Sequence, residues 1–139
     1  MQSASYEPLA CGPMADLASR IDELWEHRAE LPAGDADADA TVSEAVDLLD
    51  RGEARVAEVV DDAVVVHEWL KKAILLLFRL RAMETTTLGP FEYRDKIPLK
   101  TGYEAAGVRV VPGASARWGS HLERGVILMP SYVNIGARV

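Results

Sequence analysis

Three histidines, one cysteine, three tryptophans and a run of alternating aspartates are the side chains that could carry chemistry in this 139-residue chain. Asp35, Asp37 and Asp39 stand at alternate positions, as the oxygen ligands of a calcium loop would. Such a loop also needs a glycine for its sharp turn and a closing glutamate at set offsets, and neither is there. Residues 33–40 therefore read as a solvated acidic loop. Cys11, the only cysteine, can form neither a disulfide nor a cysteine-based metal site within one chain. His27 falls on a polar helix face, and His121 falls in phase with packing residues. His67 opens a helix, where capping or packing accounts for it. Trp25, Trp69 and Trp118 read as packing residues rather than a ligand cage. The chain holds no nucleophile–base pair and no glycine-rich phosphate loop. On residue types and spacing alone, no catalytic residue and no metal ligand is assigned.

The elements around these residues are legible from periodicity. Residues 1–12 lack a basic start and a continuous apolar stretch, so they read as a flexible leader rather than a targeting signal. Pro13 can occupy a first helical turn, and Met14, Leu17, Ala18, Ile21, Leu24 and Trp25 follow helical spacing, with Pro32 marking the stop. Thr41 and Glu44 form a T-x-x-E capping box. The apolar stripe Ala45, Val46, Leu48 and Leu49 then runs to Gly52 as the C-terminal stop. Two β-branched runs, 55–60 and 63–66, flank Asp61-Asp62 and predict a β-hairpin. Residues 68–81 predict a third helix, apolar on most sides, with Leu70, Ala73, Ile74, Leu77 and Phe78 on its main face. Residues 83–100, punctuated by Gly89-Pro90 and Pro98, read as mostly extended loop. A short helical turn near 101–106 and a strand over 108–111 follow.

The last stretch has a different period. Ile127, Val133 and Val139 recur every six residues, with small or turn-forming residues between. Six is the period of hexapeptide β-helices, whose aliphatic residues point inward; an ordinary pair of terminal strands is the alternative.

Composition narrows the function classes. About half of the residues are hydrophobic, enough for a real core. The longest apolar run, 73–78, is far too short to cross a bilayer. The net charge of −7 is uneven: residues 1–70 hold 17 acidic side chains against 4 arginines, while residues 71–139 hold 5 against 11 basic ones. The basic half suits an anionic partner, or a surface whose halves attract each other. An acidic chain without a basic-aromatic motif is a poor nucleic-acid binder. A lone cysteine fits a reducing, cytoplasmic setting.

Four stretches carry a family resemblance. They are His67-Glu68-Trp69-Leu70-Lys71-Lys72-Ala73 running on to Phe78-Arg79, Asp95-Lys96-Ile97-Pro98-Leu99-Lys100, Gly107-Val108-Arg109-Val110-Val111-Pro112, and Leu128-Met129-Pro130-Ser131-Tyr132-Val133-Asn134-Ile135-Gly136-Ala137. In this order and at these spacings they resemble the first half of the tetrahydrodipicolinate N-succinyltransferases, from about Leu48 to the end. The resemblance implies an α+β fold: an N-terminal α/β domain with helices and a β-hairpin over 13–107, then, over 108–139, the truncated start of a left-handed parallel β-helix. It implies a homotrimer in the full-length protein. It also implies transfer of a succinyl group from succinyl-CoA to the amine of ring-opened tetrahydrodipicolinate, in lysine and diaminopimelate synthesis. Related enzymes use acetyl-CoA, so the acyl donor stays open. Succinyl-CoA is a co-substrate, and no bound cofactor is implied. The family's acidic residue near the reacting amine and most of its CoA-binding surface fall beyond Val139, so no catalytic residue carries over and the isolated chain is expected to be inactive. One residue does carry over: Arg109 matches the arginine that contacts the dicarboxylate substrate, a role suited to a rigid, always-charged fork of donors. A structural ion pair is the alternative for Arg109. For the whole chain, the alternative is a non-catalytic relative acting as an assembly or interaction module. From the single coil, residues from about Ser115 onward are expected to be poorly ordered or held by a partner chain.

Overall fold

The computed structural model describes residues 12–139. Of the expected leader, only Gly12 lies among them, as the N-cap of α1 (Pro13–Glu26), with Pro13 in the first turn. α1, α2 (Ala36–Arg51) and α3 (Glu68–Leu80) pack against one another. Their shared core is built from Leu17 and Ile21 of α1, Val42, Ala45, Val46 and Leu49 of α2, and Trp69, Leu70, Ala73, Leu76, Leu77 and Leu80 of α3. The third helix is less enclosed than its composition suggests, since Leu75 is 47% exposed.

α2 begins ahead of the expected capping box. Asp35 caps it, accepting from the Ala38 N–H at 2.9 Å, and Asp37 and Asp39 lie in the first turn, where carboxylates favour the helix dipole. The acidic run is thus helical from Ala36 on, not a loop. Thr41 sits inside the helix; its hydroxyl donates to the Asp37 carbonyl and accepts from Arg20 of α1 at 2.7 Å. Glu44 also faces Arg20, at 3.4 Å. The helix ends at Gly52, in a left-handed conformation (φ 75°) that satisfies the Leu48 and Leu49 carbonyls.

The expected hairpin forms as β1 (Ala57–Val60) and β2 (Ala63–Val66), antiparallel. Asp61 and Asp62 turn the chain with positive φ at both positions. Residues 83–100 are not mostly loop. β3 (Glu84–Leu88) and β4 (Phe91–Asp95) form a second antiparallel hairpin, and Gly89-Pro90 is its turn rather than a breaker. Thr85, Thr86 and Thr87 face Arg94, Tyr93 and Glu92 across the ladder, and cross-strand pairs of this kind stabilise a hairpin. Because β3 is exposed throughout, no apolar alternation betrays it.

After the short helix α4 (Tyr103–Ala106) the chain winds on itself. β5 (Arg109–Val110) pairs in parallel with β7 (Ile127–Leu128), Arg109 opposite Ile127. β6 (Ser115–Ala116) pairs in the same sense with β8 (Tyr132–Val133), Ser115 opposite Tyr132. A third parallel bridge joins His121 to Arg138. The sequence offset is nearly the same each time, as one turn of a regular winding requires. Val108, Ala116, Leu122, Leu128 and Val133 form a second core inside this winding. The inward phase is only partly that expected: Val133 is buried, but Ile127 and Val139 are 55% and 49% exposed, and Leu122 and Leu128 point inward. The whole is a mixed α+β fold.

Candidate functional site

Arg109 is placed by backbone geometry on both sides. Gly107 ends α4 with a positive φ, and the Val108 N–H donates to the Tyr103 carbonyl at 2.9 Å. Val108 then enters the second core. Since side chains alternate along a strand, Arg109 points outward. Its N–H donates to the Val126 carbonyl at 3.0 Å, and Ile127 is its exposed neighbour on β7. Among the described residues, the Arg109 guanidinium makes no ion pair and no hydrogen bond, and it is exposed. Most other arginines are engaged. Arg81 bridges Asp39 and Ser43, and Arg117 reaches Asp95 at 2.8 Å and Asn134 at 3.1 Å. Arg138 is held by Glu123 and by the Gly52 carbonyl. Its hydrogen bond holds the Glu123 carboxyl below the usual glutamate range. Arg124 is a second outward guanidinium. It lies across Gly107, so close that a β-carbon there would meet it at 2.8 Å. No spacing rule points to Arg124, because only the winding brings it beside the Arg109 segment.

The segment bearing Arg109 is fixed to α2 by two carboxylates, Asp47 and Asp50, whose spacing puts them on one helix face. Asp47 accepts from the indole N–H of Trp118 at 2.9 Å. Asp50 accepts from the Gly119 N–H at 2.8 Å and from the largely buried Lys100 ammonium at 2.7 Å. Gly119 must lack a side chain here: its φ is 84°, and a β-carbon would fall 2.7 Å from Val46 and from Ile135. The Arg81 guanidinium covers the Trp118 ring at 4.8 Å. These partners are 50 to 71 residues apart, so sequence reasoning missed them.

The other flagged residues take structural places. His67 is the N-cap of α3 but does not cap it through its side chain; Nε2 lies 2.7 Å from Glu58 Oε1 and ties the first hairpin to α3. His121 packs over Gly52, with Nδ1 3.2 Å from the Asp50 carbonyl. His27 lies just past α1, exposed near Glu30. Trp69 is buried, and Trp25 stacks under Arg28. Cys11 lies outside the described residues. Among the described residues, no three His, Cys, Asp or Glu side chains gather to hold a metal ion, and no helix is long and apolar enough to cross a membrane.

Comparison with known proteins adds the context this geometry lacks. Residues 16–80 match the family model described as tetrahydrodipicolinate N-succinyltransferase N-terminal. The chain is similar to 2,3,4,5-tetrahydropyridine-2,6-dicarboxylate N-succinyltransferases. It is 47% identical to that of Bordetella pertussis over 129 residues, covering 87% of this chain and 47% of the relative. To that of Burkholderia mallei it is 48% identical over 132 residues, 88% of this chain and 48% of the relative. To that of Pseudoalteromonas translucida it is 43% identical over 132 residues, 89% and 48% respectively. The chain spans about half the length of the curated relatives it matches.

Proposed function

We propose, from the match of residues 16–80 to the tetrahydrodipicolinate N-succinyltransferase N-terminal family, that the chain is the N-terminal portion of an acyltransferase that succinylates the amine of ring-opened tetrahydrodipicolinate in lysine and diaminopimelate synthesis. The observation that carries this reading is the extent of the likeness, 47% identity over 87% of the chain to a protein of that name. In the reaction, the amine nitrogen bonds to the succinyl carbonyl carbon, the thioester C–S bond breaks, and the amine proton is lost as the CoA thiol leaves. This chain's own contribution is Arg109, whose unengaged, outward guanidinium is free to grip a substrate carboxylate in two places.

We read residues 13–107 as the N-terminal domain and 108–139 as the first coil of a left-handed parallel β-helix. Three parallel pairings at nearly constant offset support this. So do the left-handed glycines Gly113, Gly119 and Gly125, which recur at the hexapeptide period and suit coil corners. Ile127, Met129 and Tyr132 are exposed apolar side chains of this stretch, of the kind a trimer partner would cover.

The test is a chimera in which this chain replaces the matching half of the Bordetella pertussis relative. CoA release, followed with a thiol reagent, is expected from the chimera and not from this chain alone. A chimera that assembles without turnover would overturn the catalytic reading and favour a non-catalytic assembly module.

A further inference from the structure

The winding places a second unengaged guanidinium beside Arg109. The Gly125 N–H donates to the Gly107 carbonyl and the Arg109 N–H to the Val126 carbonyl, each at 3.0 Å, so residues 107–109 run alongside 125–127. Arg124 stands at the start of this ladder and folds over Gly107. Its Cγ, Cζ and Nη1 would lie 3.2, 3.3 and 2.8 Å from a β-carbon there. Stem and guanidinium both rest on the backbone, so the charged head has a support. Gly107 and Arg109 are two residues apart, at most about 7 Å between their Cα atoms, and the two guanidiniums share one patch of surface. Both arginines are exposed, and among the described residues neither side chain has an ion pair or a hydrogen bond. The nearest carboxylate in sequence, that of Glu123, is taken by Arg138 and faces His121. Glu104 of α4 pairs with neither arginine. In a chain of net charge −7, where most basic side chains are matched, two adjacent bare guanidiniums are a local surplus of positive charge.

The substrate proposed above carries two carboxylates, and Arg109 accounts for one. Its ring opens to a seven-carbon chain with a carboxylate at each end, so the second needs a cation a short distance from the first. A guanidinium suits this place, because its planar fork matches a carboxylate. We propose that Arg124 is a further substrate-binding residue, gripping the second carboxylate of a dicarboxylate whose first is held by Arg109. The inference rests on the reading of Arg109 as substrate-binding. It adds the residue that tells a dicarboxylate from a monocarboxylate.

Titrating the full chain with pimelate, a seven-carbon dicarboxylate, and with hexanoate, which has one carboxylate, tests it. The backbone amide signals of residues 107–109 and 124–127 are the readout. Pimelate is expected to give saturable shifts and to bind at least about tenfold more tightly than hexanoate, since it gains a second charge-assisted contact. Arg124→Gln should bring pimelate down to the affinity of hexanoate and change hexanoate little. The melting temperature should stay as it is, because the Arg124 side chain makes no internal bond. Arg124→Lys keeps the charge and should recover part of the pimelate affinity, which separates loss of the cation from any disturbance at Gly107. Arg109→Gln should weaken both ligands. Pimelate binding that survives Arg109→Gln would overturn the reading of Arg109 on which the inference rests. Pimelate binding that falls in Arg109→Gln but survives Arg124→Gln would overturn the role of Arg124 and leave Arg109 standing. Equal affinity for pimelate and hexanoate, or no saturable shift with pimelate, would overturn the two-arginine clamp.

Discussion

Arg109 and Arg117 are both arginines of the C-terminal segment, and their surroundings separate a binding role from a structural one. Arg117 joins three elements: it bonds Asp95 of β4 and Asn134, and lies 5.3 Å from the Phe78 ring of α3. Such a side chain is committed to holding the fold. Arg109 spends none of its guanidinium donors on the described residues, so a ligand meets no internal competitor. In the chimera proposed above, Arg109→Lys should therefore leave assembly and melting temperature unchanged while raising the KM for the dicarboxylate. A point charge cannot reproduce a two-pronged contact, and a charge-assisted hydrogen bond is worth about 1.5–3 kcal/mol, so the rise should be about tenfold or more. An unchanged KM in steady-state kinetics would assign Arg109 to structure. Nothing in residue type or spacing singles out Arg109 among the chain's other arginines; it is visible only through the stretch Gly107 to Pro112 that resembles the family. The engaged arginines are illegible for another reason: their partners are set by tertiary packing.

At the scale of elements, legibility follows how local the stabilising interactions are. α1, α3 and the first hairpin could be read because their signals (helical spacing, β-branched runs around a turn) lie within the segment itself. The start of α2 could not: Thr41-x-x-Glu44 has the pattern of a capping box, yet both side chains face Arg20 from within the helix, and Asp35, in a run that reads as a loop, is the N-cap. The six-residue spacing of Ile127, Val133 and Val139 gave the inward side correctly only at Val133: aliphatic residues stand at both 127 and 128, and burial against the rest of the winding selects Leu128. The first hairpin carries a cost that can be tested. Asp61 and Asp62 hold φ values of 49° and 62°, as a two-residue hairpin turn requires. A residue with a β-carbon loses about 1 kcal/mol or more in that region, aspartate somewhat less. Asp62→Gly removes the strain, although the freer unfolded glycine offsets part of the gain. Amide exchange at Val59 to Val64 should slow about twofold, a net gain of about 0.5 kcal/mol. Asp62→Val should speed the same amides, since a β-branched side chain is ill suited to a positive φ. Equal exchange in all three proteins would show that the turn does not limit hairpin stability.

Over the whole molecule, the uneven charge has a structural use. Lys72 with Asp22, Arg81 with Asp39 and Lys100 with Asp50 each join a basic residue of the second half to an acidic one of the first. The last of these matters most, because it links the two cores. The three-helix core is held by many apolar side chains. The smaller second core closes only one turn of the winding, and β7 and β8 are edge strands paired on one side. A single winding with so small a core leans on whatever packs against it for stability. Here the neighbour is α2, whose Asp50 carboxylate takes both Lys100 and the Gly119 N–H. The winding from Ser115 on thus has contacts within the chain that the sequence did not reveal, while its open edge still invites pairing. Asp50→Asn keeps the shape but leaves the Lys100 ammonium, 9% exposed, without its counter-charge. Breaking a largely buried pair from one side costs about 3–5 kcal/mol, and the loss should fall on the winding before the helices. In hydrogen exchange on a dilute sample, the amides of Leu128 to Gly136 should exchange at least about 100-fold faster in Asp50→Asn, while those in the middle of α3 change little. Raising the protein concentration should restore protection at the edge if copies pair there. Equal acceleration in α3 and in the winding would mean that both cores open as a single unit, and the clamp would then be an ordinary part of one cooperative fold.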